Sequence, residues 1–556
     1  MSDTTLIHRI QPSWRRMLTP LLSPWSFGAL LIAAIVILPI LSVVWIAMTP
    51  GENIWPHLIS TTLPRYLKNT AILMLSVGVL AGLVGTGAAW LVSRYRFPLS
   101  GWLEWLLLLP LAIPAYIGAY ALVDLFEYAG PVQTWLRQVM GWSTSRDYWF
   151  PPIRSMGSAI FVLTAALYPY VYLLARAAFR EQSAAAEEVA RSLGAGPWGR
   201  FSRVGLPLAR PAIAAGMAIV MMETVNDFGA VDYFAVQTLT TGIFSVWLEA
   251  GNAAGAAQIA SVVLALVIML VALEKSSRRR IRFFNLSTRH RAVERVALQG
   301  PAGWVATLLC LVPFGVGFVL PAGVILYHAL NNSDRWADPA LLRALFNTLT
   351  VGGIAAMVTV LAGVFMVYGV RLSGRRLPRL LLPLTTIGYA APGAVLGVGL
   401  LIPLAALDHR IADTLEALTG VDVGLLLTGS ATALVLAYTV RFFAIAQGAA
   451  DAAMGRVSPS LPMAARSLGR NQGQVLGQVY YPLIRGSIAS ALLLVFVDCV
   501  KELPATLLLR PFNYNTLATR VHDQASLENL GDAAPAAILV ILVGLAAVGL
   551  LARTNR

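Results

Sequence analysis

Apolar runs of about 20 residues, separated by short polar stretches, recur along the whole chain. They fall at roughly 27–48, 70–93, 102–125, 157–178, 209–230, 253–273, 302–328, 347–370, 380–406, 425–447, 484–505 and 533–552. As a helix, each is long enough to cross a hydrocarbon core about 30 Å thick. The pattern predicts an all-α integral membrane protein with about 12 transmembrane helices. Residues 1–26 are polar and carry three arginines. The span after them is too long for a signal-peptide core and lacks a small-residue cleavage site, so it is expected to remain as a membrane anchor.

The polar stretches carry an internal repeat. Glu188-Val-Ala-Arg-Ser-Leu-Gly194, which contains Ala190 and Arg191 and runs on to Pro207, is matched 275 positions later. The match is Met463-Ala-Ala-Arg-Ser-Leu-Gly469, which contains Ala465 and Arg466 and runs on to Pro482. Asn69-Thr70 returns as Asn347-Thr348, and Pro114 as Pro392, both at an offset of 278. Six spans per repeat is an even number, so the halves 1–273 and 301–556 are expected to be parallel, related by an axis along the membrane normal, with a pathway between them. The charge-dense segment 274–300 reads as a cytoplasmic linker.

Each repeated stretch predicts an alanine-rich short helix that a left-handed glycine, Gly194 or Gly469, can end. A second short amphipathic helix is expected before the proline, with Trp198, Phe201 and Val204 along it in the first half. The result is a knob protruding on the cytoplasmic side. Where the first knob has Glu188 the second has Met463, so the two are expected to grip a partner unequally.

Composition agrees with a membrane protein: 57% of residues are hydrophobic and 12% charged, against about 25% charged in soluble domains. The net charge of +14 could indicate nucleic acid, but the positions of the basic residues argue otherwise. With a cytoplasmic N-terminus, 30 of the 41 Lys and Arg, Arg441 among them, fall on the cytoplasmic side. That bias is the positive-inside signature, so both termini and the linker are expected in the cytoplasm and no nucleic-acid surface is expected. The two cysteines, Cys310 and Cys499, sit in apolar spans and offer no disulfide framework or metal motif. None of the three lysines (Lys68, Lys275, Lys501) follows a glycine, so the chain carries no phosphate-binding loop and cannot be its own ATPase.

Charge inside the spans is costly and marks either a cavity or a structural partner. Glu223 and Asp227 are four apart, hence on one helical face, and Asp498 and Glu502 take the equivalent places in the second half. Four carboxylates against Lys501 leave an excess of negative charge. The acids could line a path for a cation, close an outer gate near Gly229 and Pro504, or act as structural glue with Lys501. Tyr168, Tyr170 and Tyr172 read as core aromatics, Trp102 and Trp105 as an interfacial belt, and His522 as a surface histidine in an outer loop.

The duplicated stretch with its Arg-Ser-Leu-Gly core resembles the EAA loop of ATP-binding-cassette importer permeases, and two copies in one chain resemble a fused permease. Met222 to Phe234, followed by Thr-Thr-Gly-Ile, and Val500 to Pro511 are similar to the fused permeases of ferric-iron importers. The resemblance implies two copies of an ATPase subunit docked on the knobs, an extracytoplasmic solute-binding protein, and a bacterial inner-membrane location. It implies no cofactor and no stable metal site, with transient iron contact at Glu223, Asp227, Asp498 and Glu502. Polyamine, thiamine and phosphonate importers are close relatives. A proton-coupled secondary transporter would also use intramembrane acids but would not need the knobs. A membrane enzyme fails for want of a catalytic constellation.

Overall fold

The structure, a computed structural model, describes residues 24–50, 53–182, 184–279, 295–373, 382–386, 388, 391–422 and 424–554. Most of the polar N-terminal stretch and residues 280–294 of the expected linker lie outside the described residues. Eleven described helices are long and apolar enough to cross a membrane. The pair Ser100–Ala112 and Ala115–Met140, bent by 92°, is apolar enough to bring the number to 12 if it counts as one span.

In the first half the main helices are α1 (Pro24–Met48), α2 (Leu63–Arg94), α3 (Ser100–Leu106), α4 (Ala115–Phe126), α5 (Met156–Glu181), α6 (Ala184–Ser192), α7 (Leu206–Asn226), α8 (Gly229–Tyr233), α9 (Leu239–Phe244) and α10 (Ala253–Arg279). The second half follows with α11 (Pro301–Phe314), α12 (Leu320–Asn331), α13 (Pro339–Ser373), α14 (Gly393–Thr419), α15 (Thr432–Gly455), α16 (Ser460–Ser467), α17 (Tyr481–Lys501), α18 (Pro504–Leu509), α19 (Leu517–Ser526) and α20 (Leu530–Thr554).

Several of the expected spans are broken or displaced. The run at 102–125 breaks at Pro114, which forces Ile113 into extended backbone and becomes the N-cap of α4. Pro392 holds the same position before α14, inside the run at 380–406. The run at 425–447 begins in irregular chain, and its helix α15 is displaced to 432–455.

The Asn-Thr repeat has a concrete purpose. Asn69 Nδ2 donates to the Gln237 carbonyl at 2.8 Å, and Asn347 Nδ2 to the Asn515 carbonyl at 2.9 Å. The neighbouring threonine hydroxyls accept from backbone N–H groups, Thr70 from Leu239 at 3.0 Å and Thr348 from Leu517 at 2.8 Å. In each half the long second helix thus clasps the start of α9 or α19, whose own N-caps, Thr238 and Thr516, form capping boxes with Thr241 and Thr519.

The halves exchange their first spans. Helix α1 packs on α13, α14 and α10, while α11 packs on α2 and α3, α12 on α4 and α20, and the turn Gly315–Val319 between them on α5. One core cluster accordingly joins Ala29, Ala33 and Val36 to Val351 and Val395, and another joins Tyr168 and Tyr172 to Cys310 and Val540. Gly399 of α14 lies against the Pro39 carbonyl of α1, where a Cβ would strike backbone. A two-residue parallel bridge, β1 (Tyr95–Arg96) with β2 (Val296–Ala297), ties the chain entering the second half to the first.

Candidate functional site

Three helix breaks meet between the halves around a cavity of about 200 Å³. Leu111, Ile113 and Pro114 line it from the α4 break. Asn226, Asp227 and Phe228 line it from the end of α7, and Lys501, Glu502 and Leu503 from the end of α17. Irregular backbone at membrane depth is tolerated where it is buried in protein or lines a cavity, provided its polar groups find partners.

Charged side chains supply several of those partners. Helix α7 ends at Asn226, leaving Asp227 extended, and its Oδ1 accepts from the backbone N–H groups of Ala230 and Val231 at 3.0 and 3.2 Å, capping α8. Helix α17 ends at Lys501, and Glu502 Oε1 accepts from Ala505 N at 3.0 Å, capping α18. Lys501 Nζ donates to the Leu111 carbonyl at 3.0 Å, satisfying an acceptor exposed by the α4 break. Gly229 and Pro504 each open a new short helix just after the break.

The four acids are therefore not one equivalent set on two helical faces. Asp227 and Glu502 lie beyond their helices and cap the next ones. Glu223 and Asp498, related by the 275-residue repeat, stay on α7 and α17 and line the cavity. Neither makes a hydrogen bond or ion pair with the described residues. The count of one counter-cation is also corrected. Arg441, expected at the cytoplasmic end of a span, lies within α15 and lines the cavity, with its Nε 2.9 Å from Glu502 Oε2. Gly393 leaves room for this pair, since a Cβ there would lie 2.7 Å from Arg441 Nη1. Arginine inside an apolar run was the signal available in the sequence, but the equivalent place in the first half is Ala166, so the repeat did not flag it.

Tyr168 and Tyr172 are fully buried, whereas Tyr170 joins the cavity wall with Tyr116. His522 is no surface histidine: its ring packs against Phe228 and its Nδ1 lies 3.0 Å from Tyr120 Oη. Trp102 is exposed, as a belt residue would be, but Trp105 turns inward beneath the Arg176 guanidinium. Among the described residues, no group of three or more His, Cys, Asp or Glu is placed to hold a metal ion.

At the opposite end of α7 and α17 stand the two knobs. Gly194 has φ of 78° and Gly469 φ of 77°. Each ends its helix through paired bonds. Gly194 N donates to Arg191 O at 3.0 Å and Ala195 N to Ala190 O at 3.0 Å. Gly469 N donates to Arg466 O at 2.9 Å and Arg470 N to Ala465 O at 3.1 Å. A Cβ at either glycine would meet open space, so the requirement is positive φ rather than close approach. Glu188, Arg191, Met463 and Arg466 are exposed, and Leu193 and Leu468 at the tips are each 81% exposed. The second short helix is not separate from the span. Pro197–Arg200 and Gln472–Val475 continue through π-helical turns at Phe201–Gly205 and Leu476–Tyr480 into α7 and α17. Pro207 and Pro482 sit in the first turn after each π turn, next to a local departure from the regular ladder.

Residues 74–283 match the family model described as the binding-protein-dependent transport system inner membrane component. The chain is 26% identical over 492 residues to the Fe(3+)-transport system permease protein FbpB 2 of Haemophilus influenzae, a match covering 86% of this chain and 87% of that relative. It is 27% identical to the sulfate transport system permease CysT of Escherichia coli, over 47% of this chain and 92% of the relative. To the molybdenum transport system permease ModB of Escherichia coli it is 30% identical, over 34% of this chain and 85% of the relative.

Proposed function

Given that the chain belongs to the binding-protein-dependent transport system inner membrane component family, we propose that it is the fused permease of an importer carrying ferric iron from an extracytoplasmic binding protein to the cytoplasm. Membership makes it a multi-pass inner-membrane permease that works with a solute-binding protein and an ATPase. In the proposed arrangement the repeats 1–273 and 301–556 each present one knob, and two ATPase copies dock there. Glu188, Ala190, Arg191 and Gly194 form the first contact, and Met463, Ala465, Arg466 and Gly469 the second. Pro207 and Pro482 lead each knob into its span. Both termini and the 274–300 linker face the cytoplasm. The chain itself does no covalent chemistry.

The observation that carries the iron reading is the pair Glu223 and Asp498. Neither acid has a hydrogen bond or ion pair among the described residues, and the four carboxylates of the cavity wall outnumber its two cations, Arg441 and Lys501, so the lining keeps an excess of negative charge. A hard cation favours carboxylate oxygen, whereas sulfate, an anion, would meet uncompensated negative charge. The match to a ferric permease also runs through both halves, while those to the sulfate and molybdenum permeases cover less than half of the chain. A polyamine or thiamine would suit the acids on charge alone.

Glu223→Gln combined with Asp498→Asn removes both charges and keeps size and much of the hydrogen bonding. Uptake of radiolabelled ferric iron should be abolished while the ATPase still co-purifies; normal iron uptake would defeat the cation reading. For orientation, a cysteine at Ser277 should resist an impermeant thiol reagent in intact cells, and one at Ser333 should react.

A further inference from the structure

At the knob end of the first half, three arginines converge on one carboxylate. Arg176 and Arg180 of α5 both reach Oε1 of Glu104 on α3, and Arg295, at the start of the second half, reaches Oε2 at 3.1 Å. One carboxylate cannot balance three guanidiniums, so among the described residues the cluster keeps an excess of two positive charges. The innermost member makes the imbalance costly. Arg176 is 4% exposed, lies over the Trp105 ring at 5.0 Å, and its Nε has no hydrogen-bond partner. Arg180 and Arg295 are 39% and 26% exposed, so the cluster remains reachable from outside the protein.

The surroundings indicate which anion could reach it. Trp102, two residues before Glu104, and Trp304, nine after Arg295, are both exposed. Exposed tryptophans at the end of a transmembrane bundle mark headgroup level. Thr307 on α11 donates to the Pro98 carbonyl at 2.8 Å, holding α11 against the loop that leads into α3. Basic pockets between transmembrane helices at this level suit phosphate-bearing headgroups, and the planar guanidinium matches phosphate oxygens in paired hydrogen bonds.

We propose that Arg176, Arg180 and Arg295 form a site for a phosphate-centred anion, supplied by the headgroup of an anionic phospholipid in the leaflet on the knob side. Glu104 orders the three guanidiniums and limits their affinity. The site is independent of the solute carried.

The test is native mass spectrometry of the full-length protein, titrated with phosphatidylglycerol, phosphatidylcholine or inorganic phosphate. Wild type should prefer phosphatidylglycerol to phosphatidylcholine. Arg180→Gln with Arg295→Gln should weaken that binding roughly 25-fold, about fivefold per guanidinium. Glu104→Gln should tighten it, an outcome that a purely structural ion cluster would not give. No preference for the anionic lipid, or unchanged binding in a folded double variant, overturns the proposal. Equally tight binding of inorganic phosphate overturns the lipid source while upholding the anion site. Should the double variant fail to fold, the wild-type lipid preference and the Glu104→Gln response decide.

Discussion

The two knobs are capped alike and rooted differently. At each tip a helix ends in a left-handed glycine with the same paired backbone bonds, and a leucine stands exposed beside it. Beneath the first tip lies a buried ionic network. Glu187 sits 3.4 Å from Arg94 and 3.1 Å from Arg200. Gln182 accepts from Arg94 at 2.7 Å and donates to the Gly205 carbonyl at 2.9 Å. Trp90 packs over Gly205 with Phe179 and Phe201 at its edges. The repeat-equivalent positions in the second half are Leu372 for Arg94, Pro462 for Glu187, Val475 for Arg200 and Val457 for Gln182. There the root is apolar, with Val475 fully buried, Tyr368 and Tyr480 edge to face at 5.5 Å, and Tyr368 Oη donating to the Gln472 carbonyl at 2.6 Å. Symmetry is thus kept at the tip, while the two roots are held by different chemistries, one ionic and one apolar.

The largest test of that contrast is Glu187→Ala. It strands two buried guanidiniums, and breaking a buried ion pair in this way costs about 3–5 kcal/mol. Pro462→Ala, at the equivalent place, removes no charge and should stay within about 1 kcal/mol. Thermal unfolding of the two variants in the same detergent compares them directly. Similar losses would mean that the first root is held by packing like the second.

The glycines should respond equally. Gly194→Val and Gly469→Val each force a β-branched residue to positive φ, costing at least about 1–2 kcal/mol locally. Both should lower solute-stimulated ATP hydrolysis while leaving membrane insertion intact. A defect in only one knob would show that the tips are not equivalent. Smaller again is Tyr368→Phe, which deletes one hydrogen bond worth about 1 kcal/mol from the apolar root. Its effect should be local, read as faster amide exchange around Gln472 with little change at the first knob.

The repeated features were legible in the sequence because they are local. The Arg-Ser-Leu-Gly ends, the Asn-Thr clasps and the paired acids occur twice at fixed spacing, and twelve apolar runs set the number of spans. What the sequence hid is what the halves do to each other. The exchange of α1 and α11 leaves no periodic trace. The helix breaks after Asn226 and Lys501 turned two i, i+4 pairs into one helix-borne acid and one capping acid per half, all four at the cavity wall. Glu187 was overshadowed by its exposed neighbour Glu188, although its replacement by proline in the repeat, together with the loss of Arg94 and Arg200, was there to be seen. Arg441 was counted as a flanking charge because its span was placed a few residues too early.

The finest distinction lies at the tips themselves, between Glu188 and Met463. Both side chains are exposed, so Glu188→Ala and Met463→Ala should each change the stability of the isolated chain by no more than about 0.5 kcal/mol. Any effect must therefore appear in the docked complex. A carboxylate contributes to docking by charge, which salt screens at the rim of an interface, while methionine contributes by apolar contact, which salt does not weaken. Co-purification of the ATPase should fall more with Glu188→Ala than with Met463→Ala at low salt, and the two variants should converge as salt is raised. Equal losses at every salt concentration would show that the partner reads only the shared Arg-Ser-Leu-Gly end, confining the asymmetry of this permease to the roots.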